Sequence, residues 1–368
     1  MNKTDAYLAL NLLPGIGPIR VRRLLSHLGG PCEIFSSSRE KLLRVDGIGS
    51  EMAEQIHQWE NLIDLPEEKR RIAEHGISLL TIDGDDYPPA LREIYDPPFL
   101  LYVKGKITRA DKLAVGVVGS RRTTHYGKEQ AKKLSFQLAR SGFTIVSGLA
   151  RGIDTAAHEA ALAARGRTIA VLGSGVGNVY PPENQPLADR IAENGAVISE
   201  FPVLYVPDRQ SFPLRNRIVS GLSVGLLVVE APARSGALIT ANQALEQGRS
   251  VFAVPGPIDR PTSAGCNRLI RSGASLVSSA SDIVEELDAG LGMLPMDLER
   301  NKHPASRQVS LSESEEKILT IMEDGELTID QISEQAGLPA NTVSVDLLKL
   351  EMKALVKQLP GKYFTKLI

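Results

Sequence analysis

The chain has 368 residues, 42% hydrophobic and 23% charged, with 42 Lys+Arg against 44 Asp+Glu, which suits a folded protein of two or three domains. Two cysteines, Cys32 and Cys266, exclude a disulfide framework and a cysteine-ligated metal site. No apolar run is long enough for a membrane span and the N-terminus carries no signal-peptide pattern, so a reduced, cytoplasmic setting without membrane insertion is expected.

In chain order, residues 1–65 first show two similar turns, Leu13-Pro14-Gly15-Ile16-Gly17 and Val45-Asp46-Gly47-Ile48-Gly49. Each follows one helical pattern and precedes another, Ile19–Leu28 and Glu51–Trp59. The spacing is that of a helix–hairpin–helix or SAM-like domain, whose glycines let a backbone approach a phosphate. The local charge is slightly acidic, so tight turns in a small bundle explain these glycines equally well. Residues 66–111 form a bridging segment with turn clusters at Asp83–Pro89 and Asp96–Pro98. Its apolar runs Ile77–Ile82 and Phe99–Val103 are expected to add edge strands to the next domain.

Over 112–287, strand-like runs at Leu113–Val118, Phe143–Ser147, Thr168–Leu172, Ala196–Ser199, Val224–Val229 and Ser250–Val254 alternate with helical patterns. The helices include Lys128–Ser141, Asp154–Ala164, Gln185–Asn194 and Gly236–Gln247. Apolar strands separated by helices predict a doubly wound, Rossmann-like α/β domain with a parallel sheet. Residues 288–311 read as a linker. Beyond it, Ser312–Glu323, Thr328–Ala336 and Pro339–Glu351 predict three helices, and Leu355–Leu359 with Tyr363–Leu367 a hairpin turning at Pro360-Gly361. That is a winged helix over 312–368. Its third helix offers Asn341, Thr342, Ser344, Asp346 and Lys349 in an acidic context, which leaves docking to DNA and docking to protein both open.

The chemistry concentrates in the central domain. Residues 112–280 hold 19 Lys+Arg against 11 Asp+Glu, a net of +8, whereas the rest of the chain is acidic. An anionic partner for that domain follows. The first strand ends in Gly119-Ser120-Arg121-Arg122, a small-residue turn with two arginines opening onto a helix. Such a turn offers backbone N–H groups and a guanidinium to phosphate. After the second strand comes Ser147–Asp154, with Asp154 placed to cap a helix. After the third comes Gly173-Ser174-Gly175-Val176-Gly177, but Tyr180-Pro181-Pro182 follows, so no helix starts on the glycines and a nicotinamide site is not indicated. The segment Arg209–Arg217 carries Arg209, Arg215 and Arg217 around Phe212. Arginine forks match phosphate oxygens and an exposed Phe stacks on any base. The alternative is that Phe212 packs in the core and the arginines pair with Glu200 and Glu230, residues that end strands and more often orient arginines. The histidines lack metal-ligand spacing, and His125 and His158 read as polar helix residues rather than general bases.

These residues resemble the DNA-processing protein A family (DprA, also called Smf). The resemblance rests on Gly119-Ser120-Arg121 with Tyr126-Gly127, Ser147 to Asp154, Arg215 to Ser223, Ser235 to Thr240, Pro255-Gly256 and Gly265-Cys266-Asn267. It implies a single-stranded DNA-binding protein with no enzymatic step and no cofactor. Such a protein protects incoming strands and loads the RecA recombinase during natural transformation, as a homodimer, with single-strand-binding protein a further candidate partner. By motif position, Gly119, Ser120, Arg121, Gly173, Ser174 and Gly175 would line the strand's pocket. Arg209, Phe212, Arg215, Asn216 and Arg217 would lie along the same groove, Arg209 standing where some members carry lysine. The competing class is a nucleotide-processing enzyme of the phosphoribohydrolase type on a related fold. Its Pro-Gly-Gly-x-Gly-Thr signature is replaced here by Ala233-Arg234-Ser235-Gly236-Ala237-Leu238. A winged-helix transcription regulator is weaker still, because the third helix is poorly charged.

Overall fold

The computed structural model describes residues 1–291, 311–322, 327–352, 355–359 and 363–366, and divides into two compact units, Met1–Leu298 and Glu299–Ile368. The larger unit opens with helices α1 (Lys3–Leu12), α2 (Pro18–Leu28), α3 (Pro31–Ser36), α4 (Arg39–Leu43), α5 (Ser50–His57), α6 (Trp59–Leu62) and α7 (Leu65–Glu74). The two Gly-Ile-Gly turns join α1 to α2 and α4 to α5. Gly15 and Gly47 sit there at φ +77° and +83°, in the left-handed region that favours glycine. The helices do not form a separate core: Tyr7, Leu10, Leu24 and Ile56 share one cluster with Tyr102, Leu172 and Val197 of the sheet region.

That sheet has nine strands: β1 (Ser78–Thr81), β2 (Leu100–Gly105), β3 (Ala114–Val118), β4 (Thr144–Ser147), β5 (Thr168–Val171), β6 (Ala196–Ser199), β7 (Gly225–Val228), β8 (Ser250–Ala253) and β9 (Ser275–Leu276). Their order is β1-β2-β6-β5-β4-β3-β7-β8-β9. The expected edge strands enter as β1 and β2, antiparallel to each other and to β6; the remaining pairs are parallel. The two-residue β9 lies beyond the expected set. Winding runs outward from β3 through β4, β5 and β6, then resumes at β7 on the other side of β3, so the switch point lies between β3 and β7. Ligands of such sheets bind outside the carboxyl ends of the strands at that point.

Helices cover both faces: α8 (Pro89–Arg92), α9 (His125–Arg140), α10 (Ile153–Ala163), α11 (Gln185–Asn194), α12 (Ser211–Gly221), α13 (Gly236–Glu246), α14 (Ala264–Arg271) and α15 (Ala280–Leu291). Strand alternation sorts them. Val115 and Val117 pack with Leu134 and Ala157 of α9 and α10, whereas Ala114 and Val118 pack with Ile218 and Ala241 of α12 and α13. α12 lies where the sequence reads as an arginine-rich surface segment. Its start is fixed by Asp208, whose Oδ1 accepts from the N–H groups of Gln210 and Ser211 at 2.7 Å each.

The smaller unit contains α16 (Glu313–Ile321), β10 (Leu327–Thr328), α17 (Ile329–Ala336), α18 (Ala340–Met352), β11 (Val356–Leu359) and β12 (Tyr363–Lys366), a winged helix with sheet order β10-β12-β11. Capping boxes at Ser312 and Thr328 start α16 and α17, and Ile318, Ile332, Leu347 and Phe364 form its core. On α18, Asn341, Ser344 and Lys349 are exposed and Thr342 is half-buried, whereas Asp346 is buried and accepts from Lys349 Nζ at 3.0 Å. Most of the expected linker and the Pro360-Gly361 turn lie outside the described residues.

Candidate nucleic-acid interface

The turn after β3 is built by its neighbours. Ser120 N–H donates to the Glu230 carbonyl at 2.7 Å and Ser120 Oγ accepts from Arg122 N–H at 3.1 Å. The Glu230 side chain, 3% exposed, accepts from Thr123 Oγ1 (2.6 Å), Thr124 N–H (2.8 Å) and Thr124 Oγ1 (2.8 Å). Burial would raise its carboxyl, but these donors and Thr262 hold it below the usual carboxylate range. Glu230 therefore orients threonines, not arginines as the sequence suggested. With its polar backbone fixed from below, the turn lifts Arg121 and Arg122 into solvent.

Arg121 then meets α12: its guanidinium carbon lies 4.8 Å from the centre of the Phe212 ring, a cation–π contact. Tyr180 packs on the same ring at a centroid distance of 5.8 Å and 51° tilt. Below, a side chain on Gly173 would stand 2.9 Å from Phe212, so glycine there seats the ring. These groups enclose a small cleft lined by Arg121, Gly148, Ala150, Arg151, Tyr180, Pro181, Phe212 and Arg215. Arg151, at its rim, is half-exposed and ion-paired with Glu183.

Arg215 forms the floor. It is 4% exposed and donates through Nη1 to the carbonyls of Gly148 and Val171, tying the ends of β4 and β5 together. Burial lowers its guanidinium to about 10, opposed by the attraction of Asp154. Gly148 is glycine because a Cβ would stand 2.0 Å from the Arg215 Nη1. Asp154 does not cap α10, whose N-cap is Gly152; as the helix's second residue it reaches back to the N–H groups of Gly148 (3.1 Å) and Ala150 (3.3 Å).

The remaining site expectations divide. Arg121, Phe212 and Arg215 line the cleft and Gly173 packs under the Phe212 ring, whereas Gly119 packs against Ile153 and the Glu230 carbonyl and Ser120 is buried within the turn. Ser174 is buried beside the cleft with its Oγ unpartnered. Gly175 lies under the backbone of Pro202 and Val203, where a side chain has no room. Arg209 is exposed ahead of α12, and Asn216 is half-buried outside the cleft lining. Arg217 departs from the expected groove: it is 4% exposed and held by Asp96 (2.9 Å) and Glu200 (2.6 Å), a pairing the sequence allowed. Arg151 and Tyr180 are not among the expected site residues; their place in the loops at the carboxyl ends of β4 and β5 is the sequence signal that points to them. His158 is buried and bonded to Thr168, and the described residues hold no cluster of three or more His, Cys, Asp and Glu side chains suited to a metal. No described helix is long and apolar enough to cross a membrane.

Fold and site together define a doubly wound α/β protein with an arginine-rimmed aromatic cleft beside its switch point and a C-terminal winged helix. The model of the family described as "DNA recombination-mediator protein A" matches residues 78–288, and that of the DprA winged helix domain matches residues 302–362. The chain belongs to this family. It is 37% identical to Protein Smf of Synechocystis over 99% of both chains. Among solved structures, DNA processing protein A (DprA) of Streptococcus pneumoniae superposes with TM-score 0.69 and 35% identity, covering 78% of this chain and 99% of that one. The DNA processing protein A of Helicobacter pylori, whose structure concerns its single-stranded DNA binding mode, gives TM-score 0.52 and 31% identity over 58% and 96%.

Proposed function

We propose that this chain binds single-stranded DNA without sequence preference in the cleft over β3–β5. In the cell it would protect incoming strands and deliver them to the RecA recombinase during natural transformation, acting as a cytoplasmic homodimer. The observation that carries the reading is the exposed Arg121 guanidinium lying over Phe212 above a buried Arg215. A phosphate and its adjoining base need that pair: a cation fixed beside a ring. Gly119, Ser120, Gly173, Ser174 and Gly175 would shape the pocket, with Arg209 and Arg151 meeting flanking phosphates. Such contacts go to backbone and to the faces of bases, so the sequence is not read. The relatives' roles in DNA processing support the same reading.

The test is oligonucleotide binding followed by fluorescence anisotropy against salt. Log affinity should fall linearly with log salt, with a slope of about −0.7 for each phosphate neutralised. Arg121→Ala should weaken binding to thymidine and mixed-sequence oligomers alike, and Phe212→Ala should cost about 1–3 kcal/mol. A salt-insensitive affinity, or wild-type binding by both variants, would remove the cleft from the account.

A further inference from the structure

The cleft lies to one side of Arg121, over β4 and β5. On the other side, over the switch point itself, is a second basic surface that the cleft does not use. Three loops meet there around the buried Glu230: the turn after β3, the 231–235 loop after β7, and the 255–263 loop after β8. Glu230 bonds Thr123 and Thr124 of the first and Thr262 of the third. Tyr126 Oη donates to the Pro255 carbonyl at 2.9 Å, fastening the first loop to the third. Besides Arg121, which lies over Phe212, each loop raises one exposed arginine: Arg122, Arg234 and Arg260. Among the described residues none of the three has an ion-pair partner, and the one exposed acidic residue of these loops is Asp259. The Tyr126 ring, 44% exposed, stands on the same surface.

We propose that Arg122, Arg234 and Arg260 form a second station for the phosphates of the strand that enters at Phe212, with Tyr126 as its stacking face. The inference rests on the single-stranded DNA reading and extends it across the switch point. Cations raised on three separate loops suit a chain of phosphates rather than one nucleotide. The adjacent arginines 121 and 122 divide the two stations: Arg121 is committed to Phe212, and Arg122 is not.

The full chain, unaltered and as Arg234→Gln/Arg260→Gln, is titrated with thymidine oligomers of about six and about 24 nucleotides, spanning one station or more. The double variant should bind the short oligomer as the unaltered chain does. With the long one its salt slope should be shallower by about 1.4, roughly 0.7 for each of two lost phosphates, and Arg234→Lys/Arg260→Lys should restore it. An unchanged slope on the long oligomer overturns the proposal. Equal losses on both oligomers, or a Lys pair that behaves like the Gln pair, overturn it too. An unaltered chain that binds neither oligomer refutes the underlying reading along with it.

Discussion

Arg215→Met is the most informative change to the cleft, because it separates a structural floor from a DNA contact. The guanidinium satisfies the carbonyls of Gly148 and Val171, and removing it leaves both without that donor. Each such loss costs about 1–3 kcal/mol, and Asp154 also loses the nearby cation that opposes its burial. Methionine recovers part of this through apolar packing and spares the desolvation of a charge. The expected net is about 3 kcal/mol, or a fall of about 6–12 °C in Tm at roughly 2–4 °C per kcal/mol for a large domain. Thermal and urea unfolding followed by circular dichroism measure it, with DNA binding titrated well below the transition. Weakened binding together with the stability loss is expected, since the loops at the ends of β4 and β5 shape the cleft. A variant as stable as its parent that loses DNA binding would show Arg215 to be a direct contact, and would refute the assignment.

Glu230→Ala should cost about 2–3 kcal/mol, because Thr124 N–H and two threonine hydroxyls lose a charged acceptor. It should also weaken DNA binding through the loosened arginine turn; melting and anisotropy on one preparation check both, and full affinity would show that the turn holds without Glu230. His158 gives a pH signature: burial holds its imidazole down to about 3, against about 6.5 unfolded. Its contribution to stability is complete above the unfolded value and declines as pH falls from about 6.5 towards 3, by about 1.4 kcal/mol per unit for one proton. His158→Gln should flatten that decline by about one proton, and urea unfolding at several pH values would expose an identical slope if the reasoning fails.

The sheet was legible because its strands are short, apolar and bounded by turn residues: each of the six expected strands lies within a residue or two of its place. The pairing of β2 with β6 was not legible, since it depends on contacts far apart in sequence. The cleft was half legible. Exposed Arg121 follows from a turn at a strand's carboxyl end, whereas Arg215 and Arg217 were grouped with it by charge and by motif position, neither of which tells a buried arginine from an exposed one. A helical reading of the segment separates them: Ser211, Arg215, Ile218 and Leu222 recur at helical spacing and all are buried. On another side, a Cβ at Gly221 would meet Leu91 and Ile94, the side on which Arg217 finds Asp96. Pro213 and Phe212 among arginines obscured that period, and the Asp208 carboxylate that accepts from the first N–H groups of the helix was missed.

The central claim is that the cleft takes a single strand. The most direct measurement is competition in solution: a labelled single-stranded oligomer bound to the full chain, challenged with unlabelled single-stranded and duplex DNA of the same sequence at several salt concentrations. The single strand should displace the label at far lower concentration than duplex does, and Phe212→Ala should abolish that preference. Equal displacement by duplex, or a preference that survives loss of the ring, would contradict the claim.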